Sequence, residues 1–313
     1  DITVRNGLLS QEVQARIQLP DQKELELSVQ SRGQLTELST LNAELYLKAP
    51  HSDWATWLAP FVPDSINRLS FAGQLWLDID QGRLKQGVIA IAEAQIQAQY
   101  QEQPSIVILG PTTGFFQASA GKKDLWFEQL PLRFGLKAEQ LNWPVHFTQL
   151  EQEEGKVGVI ELRMPQLQLQ PVMQQLDAHL EHALTREILK TLSFQGGFEN
   201  LYVRWQPDAE FKQRLQFDTN LANVEYSPWQ SVPGASGISG RIRGDLAQGE
   251  LQLNSQGFML NLYDFFSEPW HYESAAATLT WEFDKKGFWL KSPYLQVKGD
   301  EGDIAGDFAI RLL

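Results

Sequence analysis

The sequence predicts a mostly β protein whose strands form a long antiparallel sheet with one apolar face and one polar face. Apolar and polar residues alternate in short runs along most of the 313 residues, glycine-containing turn signals separate the runs, and one long stretch has helical spacing. Hydrophobic residues make up 42% of the chain and charged residues 21%. This composition supplies enough apolar material for a folded core and excludes wholesale disorder.

The alternating runs indicate which residues share a face of the sheet. Leu25 and Leu27 are separated by a glutamate and flanked by Glu24 and Ser28. Since successive side chains of a strand point to opposite faces, the leucines lie on one face and the polar residues on the other. The same rule selects the apolar members of four further runs: Leu75, Leu77, Leu201, Val203, Leu251, Leu253, Leu295 and Val297. An antiparallel sheet that is wet on one side has this pattern, whereas a parallel sheet has continuously apolar strands.

Turn signals follow the runs at residues 80–82, 196–197, 248–249 and 299–302. Short strands joined by glycine-containing turns indicate a meander of hairpins, with about twenty strands in all. The glycine-rich segment 233–240 is also interpreted as a flexible turn. It lacks the Gly-Lys-Ser/Thr ending of a phosphate-binding loop.

Two segments depart from alternation and predict helices. In residues 171–192, Leu176, Leu180 and Leu184 recur every four positions, as expected for an amphipathic helix that begins near Pro171. Residues 52–60 predict a shorter helix, with Ser52 as its N-cap and Pro60 near its end. We expect the long helix to brace, cap or gate the sheet, with bracing as the default.

Composition excludes several classes of function. The chain carries 26 Lys and Arg against 39 Asp and Glu, a net charge of −13, and shows no cluster of basic residues. A nucleic-acid partner is therefore not expected, because phosphate backbones are bound by clustered Lys and Arg. The absence of cysteine excludes disulfides, zinc–thiolate sites and cysteine nucleophiles, and it is typical of an exported bacterial protein. No membrane-spanning segment is predicted, because the longest uncharged window, 103–121, is interrupted by proline and glycine.

Motifs for catalysis, cofactors or metals are not found. Neither a Gly-x-Ser-x-Gly elbow nor a His-Glu-x-x-His helix occurs, so we predict no enzyme activity and no cofactor. His179 and His182 have a spacing that permits metal binding, but a third ligand is missing from the pattern and no metal site is predicted. The aromatic residues of segment 263–272 are too dense for strict alternation and form either a core plug or an exposed apolar patch.

A series of short motifs in the second half of the chain resembles a known family. Residues 193–201 read Ser-Phe-Gln-Gly-Gly-Phe-Glu-Asn-Leu, residues 220–229 read Asn-Leu-Ala-Asn-Val-Glu-Tyr-Ser-Pro-Trp, residues 232–240 read Val-Pro-Gly-Ala-Ser-Gly-Ile-Ser-Gly, and residues 249–255 read Gly-Glu-Leu-Gln-Leu-Asn-Ser. Their order resembles the YhdP-type branch of the AsmA-like proteins of Gram-negative bacteria. The match is best over residues 193–313, most specific over 193–262, and looser over 1–170.

The resemblance implies a fold, a location and a role. Proteins of this branch have a long periplasmic sheet bent into a U-shaped, taco-like groove, which a transmembrane helix tethers to the inner membrane. They are implicated in moving phospholipids from the inner to the outer membrane, and hence in outer-membrane biogenesis. The resemblance implies that residues 1–313 form a single elongated, strongly curved β-groove segment of such a periplasmic body. Phospholipid acyl chains are its expected partners, and other envelope proteins are further candidates.

The residues themselves suggest a ligand that covers the apolar face. One long helix cannot cover the apolar face of so large a sheet, so the sheet either folds on itself or curls around something apolar. Exposing one sixteen-carbon chain to water costs on the order of 12 kcal/mol, which an apolar groove would largely remove. We therefore predict that the groove is lined by the ten residues Leu25, Leu27, Leu75, Leu77, Leu201, Val203, Leu251, Leu253, Leu295 and Val297. The alternative is a non-catalytic β-sandwich scaffold that binds a protein partner and no lipid.

Overall fold

The structure is a computed structural model that describes residues 1–7, 10–32, 38–55, 66–100, 103–136, 139–151, 158–177, 187, 190–229, 233–261, 268–284, 287–300 and 302–312. These residues contain 18 strands, all of them paired antiparallel, the α-helix α1, and two short 3₁₀ helices, Leu38–Thr40 and Phe211–Gln213. The predicted mostly β fold with an antiparallel sheet is therefore confirmed. The chain divides into two compact units, Asp1–Leu150 and Glu151–Leu313. The prediction of a single groove segment spanning residues 1–313 stays a prediction.

The first unit contains ten strands. They are β1 (Ile2–Asn6), β2 (Ser10–Gln18), β3 (Glu24–Arg32), β4 (Asn42–Asp53), β5 (Ile66–Asp80), β6 (Arg83–Tyr100), β7 (Gln103–Leu109), β8 (Thr112–Ser119), β9 (Lys122–Phe134) and β10 (Leu141–Leu150). The strands from β1 to β6 pair in sequence order. The 18-residue β6 then pairs with both β7 and β8, and both of these pair with β9. β7 and β8 thus act as one interrupted strand between β6 and β9, and β9 pairs with β10.

The second unit contains eight strands and helix α1. The elements are β11 (Val159–Gln168), α1 (Leu169–Asp177), β12 (Gln195–Trp205), β13 (Leu215–Tyr226), β14 (Gly234–Asp245), β15 (Gln248–Asn261), β16 (Trp270–Asp284), β17 (Gly287–Lys298) and β18 (Ile304–Leu312). Each strand pairs with the next one along the chain, so this unit is a continuous meander.

The two predicted helices have different outcomes. Helix α1 confirms the beginning of the predicted 171–192 helix, and residues 187 and 190–192 are also helical, while 178–186 and 188–189 lie outside the described residues. The helix predicted at 52–60 is wrong at its start, because Ser52 and Asp53 belong to β4 and pair with Phe71 and Ser70 of β5. The Ser52 hydroxyl donates to Asp21 Oδ2 at 2.5 Å, so it is not available to cap a helix. Residues 56–60 lie outside the described residues.

Two turn signals are confirmed and three are wrong. Residues 81 and 82 form a two-residue hairpin with φ values of 48° and 70°, and Gly302 N–H donates to the Gly299 carbonyl at 3.0 Å in the β17–β18 turn. Gly196 and Gly197 instead lie in β12, Gly249 lies in β15, and residues 234–240 lie in β14.

Close approaches between strands explain why two of these glycines lie within strands. A Cβ added at Gly196 would lie 2.3 Å from the Asn223 carbonyl oxygen, and one at Gly249 would lie 1.9 Å from Cζ2 of Trp281. Glycine here allows the neighbouring backbone or ring to pass, which is a second use of glycine in a sheet besides turning the chain.

Candidate functional site on the apolar sheet faces

Strand pairing in the first unit aligns apolar side chains from eight strands, β2 to β6 and β8 to β10, on one face. One row of paired residues consists of Ala15, Leu27, Leu47, Leu75, Ile89, Gly114, Phe127 and Val145. The row beside it consists of Val13, Val29, Leu45, Leu77, Gly87, Phe116, Leu125 and Phe147. Because residues two apart in a strand share a face, the two rows form one continuous apolar surface, called here apolar face 1.

The second unit has an equivalent surface, apolar face 2. One of its rows consists of Leu167, Phe198, Leu221, Gly240, Leu253, Ala277, Leu295 and Gly306. A second row consists of Leu162, Val203, Phe217, Gly244, Gly249, Trp281, Leu290 and Ile310.

The ten residues selected by alternation lie on these two faces. Leu25, Leu27, Leu75 and Leu77 lie on apolar face 1, and all four are half-buried. The other six lie on apolar face 2, where Leu201 and Val297 are buried and Val203, Leu251, Leu253 and Leu295 are half-buried. The register therefore brings the ten residues together as two sets, one in each unit. Their role as groove-lining residues stays a prediction.

Of the fourteen large apolar side chains that are exposed in the described part of the chain, nine lie on these same faces, whereas Trp76 and Tyr294 lie on the opposite faces and the other three lie outside the strands. The nine are Ile2, Val4, Ile17 and Leu84 on apolar face 1, and Ile160, Trp205, Phe283, Ile304 and Ile310 on apolar face 2. Scattered exposed apolar residues are ordinary, but those that lie on a face that is already apolar enlarge the accessible apolar surface.

The chain itself covers part of each face. At one edge of apolar face 1, Trp54 is 6% exposed and packs with Leu19, Leu25, Ala49 and Phe71. Its indole N–H donates to the Phe71 carbonyl at 3.0 Å, and its ring stacks on the Phe71 ring at 5.1 Å.

On apolar face 2, helix α1 supplies the cover. Leu169, 3% exposed, and Met173 pack with Val224, Ala235 and Ile238. The bracing role expected for the helix stays a prediction.

The aromatic segment 263–272 divides between described and undescribed residues. Trp270 and Tyr272 pack with Ala275, Val297 and Leu295 on apolar face 2, and Tyr272 is 5% exposed. The described part of the segment therefore belongs to the core. Tyr263, Phe265 and Phe266 lie outside the described residues.

The opposite face of each unit carries charged pairs between neighbouring strands. Arg241 donates two hydrogen bonds to the Asp218 carboxylate, at 2.8 and 2.6 Å, and these contacts lower the pKa of Asp218. In the first unit, Lys48 lies 3.5 Å from Glu26. Ion pairs of this exposed kind contribute about 0–1 kcal/mol each, so they keep the outer face polar more than they stabilise it.

These geometric features coincide with a family assignment. The model of the YhdP protein family matches residues 1–312 of this chain. The chain belongs to the YhdP family.

A curated relative of this YhdP-family chain is the intermembrane phospholipid transporter YhdP of Escherichia coli strain K12. The two are 23% identical over 279 residues, which cover 85% of this chain and 22% of the relative. The chain thus spans about a fifth of the length of that relative. No solved structure matches the chain. In the described part of this YhdP-family chain, no helix is both long and apolar enough to cross a membrane.

The two histidines considered for metal binding, His179 and His182, lie outside the described residues of this YhdP-family chain. Elsewhere among the described residues, no group of three His, Asp or Glu side chains has a geometry that could hold a metal ion.

Alternation did not reveal an aromatic row on the polar face of the first unit. Tyr46, Trp76, Phe115, Trp126 and His146 lie in one paired row that is interrupted by Val88. Ring centroids are 5.4 Å apart for Tyr46 and Trp76, 5.7 Å for Phe115 and Trp126, and 6.1 Å for Trp126 and His146. The rings pack against one another and therefore stabilise strand pairing. The aromatic content of strands β8 and β9 was the sequence signal for this row.

Beside the aromatic row, Asp124 accepts hydrogen bonds from three side chains. Its Oδ1 accepts from His146 Nε2 at 2.9 Å and from the buried Thr148 hydroxyl at 2.7 Å, and its Oδ2 lies 2.7 Å from Lys122 Nζ. Burial raises the pKa of Asp124, but the hydrogen bonds from Lys122, Thr148 and His146 outweigh it, so the net pKa is below the ordinary value.

We expect Asp124→Asn to lower the free energy of unfolding at pH 7 by about 1–3 kcal/mol, because charge-assisted hydrogen bonds are lost. The depressed pKa stabilises the fold above the unfolded-state value of about 3.9, and this contribution is lost as the pH falls through the folded-state pKa. Urea unfolding at pH 7 and at pH 3 measures both effects, and the variant should lose less stability between these pH values than the wild type. An equal loss of stability between pH 7 and pH 3 in the wild type and in Asp124→Asn would contradict the lowered pKa of Asp124.

Proposed function

We propose that the apolar faces of this chain bind phospholipid acyl chains and conduct phospholipids across the periplasm between the inner and outer membranes, without catalysis. The observation that carries the proposal is the concentration of exposed large apolar side chains on the face that is apolar in each unit. Family membership and the name of the E. coli relative support phospholipid as the ligand. The intact protein would be tethered to the inner membrane and act with other envelope proteins.

The position of glycines supports a concave apolar face in each unit. Gly87 and Gly114 lie on apolar face 1, and Gly240, Gly244 and Gly249 lie on apolar face 2. A strand bends more easily toward a side that carries no Cβ atoms, which is why designed sheets are curved at glycine positions. Each sheet would therefore curve around its apolar face and form the walls of the predicted groove.

Transfer energetics explain what such a groove achieves. Each methylene moved from an apolar environment into water costs about 0.8 kcal/mol, so a bare acyl chain faces a barrier on the order of 12 kcal/mol. A lipid that slides along apolar rows exchanges one apolar contact for another, and the barrier falls. The headgroup stays in water at the open side. The groove lowers a barrier without making or breaking a covalent bond, so the direction of transport comes from another source.

Photo-crosslinking tests which face contacts lipid. Leu251 is half-buried on apolar face 2, and Asn254 is exposed on the opposite face of the same strand. With benzoylphenylalanine in place of Leu251, irradiation in the presence of radiolabelled phospholipid vesicles should label the protein. The same substitution at Asn254 should give background labelling, and equal labelling at the two positions would contradict the proposal.

Organic extraction separates the conduit from the scaffold alternative. The chain, purified without detergent, should yield phospholipid by mass spectrometry in amounts comparable to the protein. A chain purified in this way that carries no phospholipid and takes none up from vesicles would favour a scaffold that binds protein partners.

A further inference from the structure

A charged cavity opens at the edge of apolar face 1. It has a volume of about 520 Å³ and is formed by three segments, 19–23 between β2 and β3, 51–54 at the end of β4, and 68–70 in β5. Its volume lies within the range of about 300–1,000 Å³ that is typical of small-molecule sites. All of its lining residues belong to the first unit.

The cavity carries equal numbers of positive and negative side chains. Lys23 and Arg68 supply the positive charges, Asp21 and Asp53 supply the negative charges, and His51 adds an imidazole. The hydrogen bond from the Ser52 hydroxyl lowers the pKa of Asp21, so that carboxyl group is ionised at neutral pH. A site with this balance suits a ligand that carries one charge of each sign.

The charges in the cavity have protein partners but remain accessible to a ligand. Lys23 Nζ donates to the His51 carbonyl and lies 3.1 Å from Asp21 Oδ2, but the Lys23 and Asp21 side chains are more than 40% exposed, so their ion pair is weak. The guanidinium Nε of Arg68 is 3.8 Å from Asp53 Oδ2, which is beyond hydrogen-bond distance. Asp53 Oδ1 accepts the backbone N–H groups of Ala55 and Leu69 at 3.1 and 3.3 Å, so this carboxylate is held in position by the fold.

The cavity adjoins the apolar face on one side. Ser52 pairs with Phe71 of apolar face 1, whereas Asp53 pairs with Ser70 on the opposite face of β4 and β5. Leu19 and Trp54 line the cavity and also pack in the cluster that contains Leu25 and Ala49. Leu25 is one of the residues predicted to line the groove, and it pairs with the exposed Ile17. A charged cavity that adjoins an apolar surface has the same amphipathic arrangement as a phospholipid.

We infer that this cavity binds the phosphate–ammonium headgroup of a zwitterionic aminophospholipid whose acyl chains lie on apolar face 1. Lys23 and Arg68 would contact the phosphodiester, and Asp21 and Asp53 would contact the ammonium group. The inference rests on the proposed function and names the lipid class that the first unit selects.

Competition between lipids with identical acyl chains tests the inference. The delipidated chain is incubated with vesicles of phosphatidylethanolamine, phosphatidylglycerol and diacylglycerol in equal amounts, re-isolated, and its bound lipids are quantified by mass spectrometry. We expect phosphatidylethanolamine to be enriched about fivefold over phosphatidylglycerol, the effect of one differential charge contact, and by more than that over diacylglycerol, which lacks both charges. If the bound lipids have the vesicle composition, the inference is wrong while the proposed function stands. If no lipid binds, the proposed function itself fails.

Paired variants assign the two halves of the headgroup. The double variant Asp21→Asn with Asp53→Asn should lose the preference for phosphatidylethanolamine over phosphatidylglycerol. It should keep the preference for phosphatidylethanolamine over diacylglycerol, because the contacts to the phosphate remain. Lys23→Gln with Arg68→Gln should reduce the preference for phosphatidylethanolamine over diacylglycerol and keep its preference over phosphatidylglycerol, because the ammonium contacts remain. The control pair, Arg16→Gln with Lys48→Gln, removes two positive charges from β2 and β4 that do not line the cavity, and it should change neither ratio. Unchanged ratios in both cavity variants would overturn the assignment. If one of the double variants fails to fold, the lipid ratios bound by the wild-type chain decide whether the inference holds.

A soluble headgroup distinguishes a lipid site from a site for a free phosphodiester. Glycerophosphoethanolamine, added at a concentration equal to the lipid, should leave the enrichment intact because it lacks acyl chains. Loss of the enrichment under these conditions would assign the cavity to a soluble ligand and overturn the lipid proposal.

Discussion

Leu251→Glu is expected to reduce bound phospholipid more than tenfold while the chain stays folded. Leu251 is half-buried on apolar face 2, where it pairs with Ile242 and Leu279. A carboxylate there would have to lose its water when an acyl chain covers it, which costs several kcal/mol, and each 1.4 kcal/mol is a factor of about ten in affinity. Without lipid the carboxylate can reach water, so the free energy of unfolding should fall by only about 1 kcal/mol.

The control for this variant lies in the same strand. Asn254→Glu introduces the same charge at an exposed position on the opposite face of β15 and should leave the bound lipid unchanged. Lipid per protein is measured by extraction and mass spectrometry, and stability by urea unfolding of the delipidated proteins. Equal lipid loss in both variants would indicate a general charge effect. Unfolding of Leu251→Glu by several kcal/mol would indicate that apolar face 2 is a closed core at this position.

Gly249→Val is expected to destabilise the second unit by about 3 kcal/mol, because it overpacks a site that an aromatic ring already fills. Gly244 and Gly249 separate Phe217 from Trp281 in one row, and the two rings stack across them with centroids 6.2 Å apart and planes 6° apart. An added Cβ at Gly249 would lie 1.9 Å from the Trp281 ring and 2.6 Å from the Arg243 carbonyl oxygen.

A double-mutant cycle separates two contributions to the loss of stability, the clash with the Trp281 ring and the clash with the backbone. Trp281→Ala should relieve part of the cost of Gly249→Val, so the double variant should be less destabilised than the sum of the single variants by about 1–2 kcal/mol. The matched control is Gly306→Val, a glycine on the same face with no atom within 4 Å of an added Cβ, which should change stability by less than about 0.5 kcal/mol. Additive single effects would show that the ring is not the obstacle, and a large loss in Gly306→Val would indicate a general requirement for glycine.

Alternation alone predicted the β fold and which of the ten selected residues share a face within a strand. Leu27 and Leu75 are 48 positions apart in the sequence, yet both pair with Leu47 and occupy the same row. This success has a simple physical reason. The two-residue period is a local property, and once the strands pair with their sequence neighbours it holds along the sheet.

The errors occurred where contacts between distant strands decided the local conformation. Ser52 has the chemistry of an N-cap, but β4 continues through it after a bulge between Ala49 and Ser52. Segment 233–240 has the composition of a turn, but a Cβ at Gly240 would lie 2.0 Å from the Gln252 carbonyl oxygen of β15, so glycine is required inside the strand. The cavity formed by Lys23, His51 and Arg68 was also not predicted, because its residues come from three separate segments.

The sequence by itself determined that this chain has one apolar and one polar face, because side-chain alternation depends only on the order of residues in each strand. The tertiary structure decided which part of the apolar face the protein covers itself. Leu253 packs with the cluster that Leu169 of helix α1 joins, whereas Leu251, two residues away on the same face, belongs to none of the described core clusters. That difference depends on where a helix and the bulges of distant strands come to lie, which a local pattern does not specify. It separates the core of each unit from the surface that we propose for lipid.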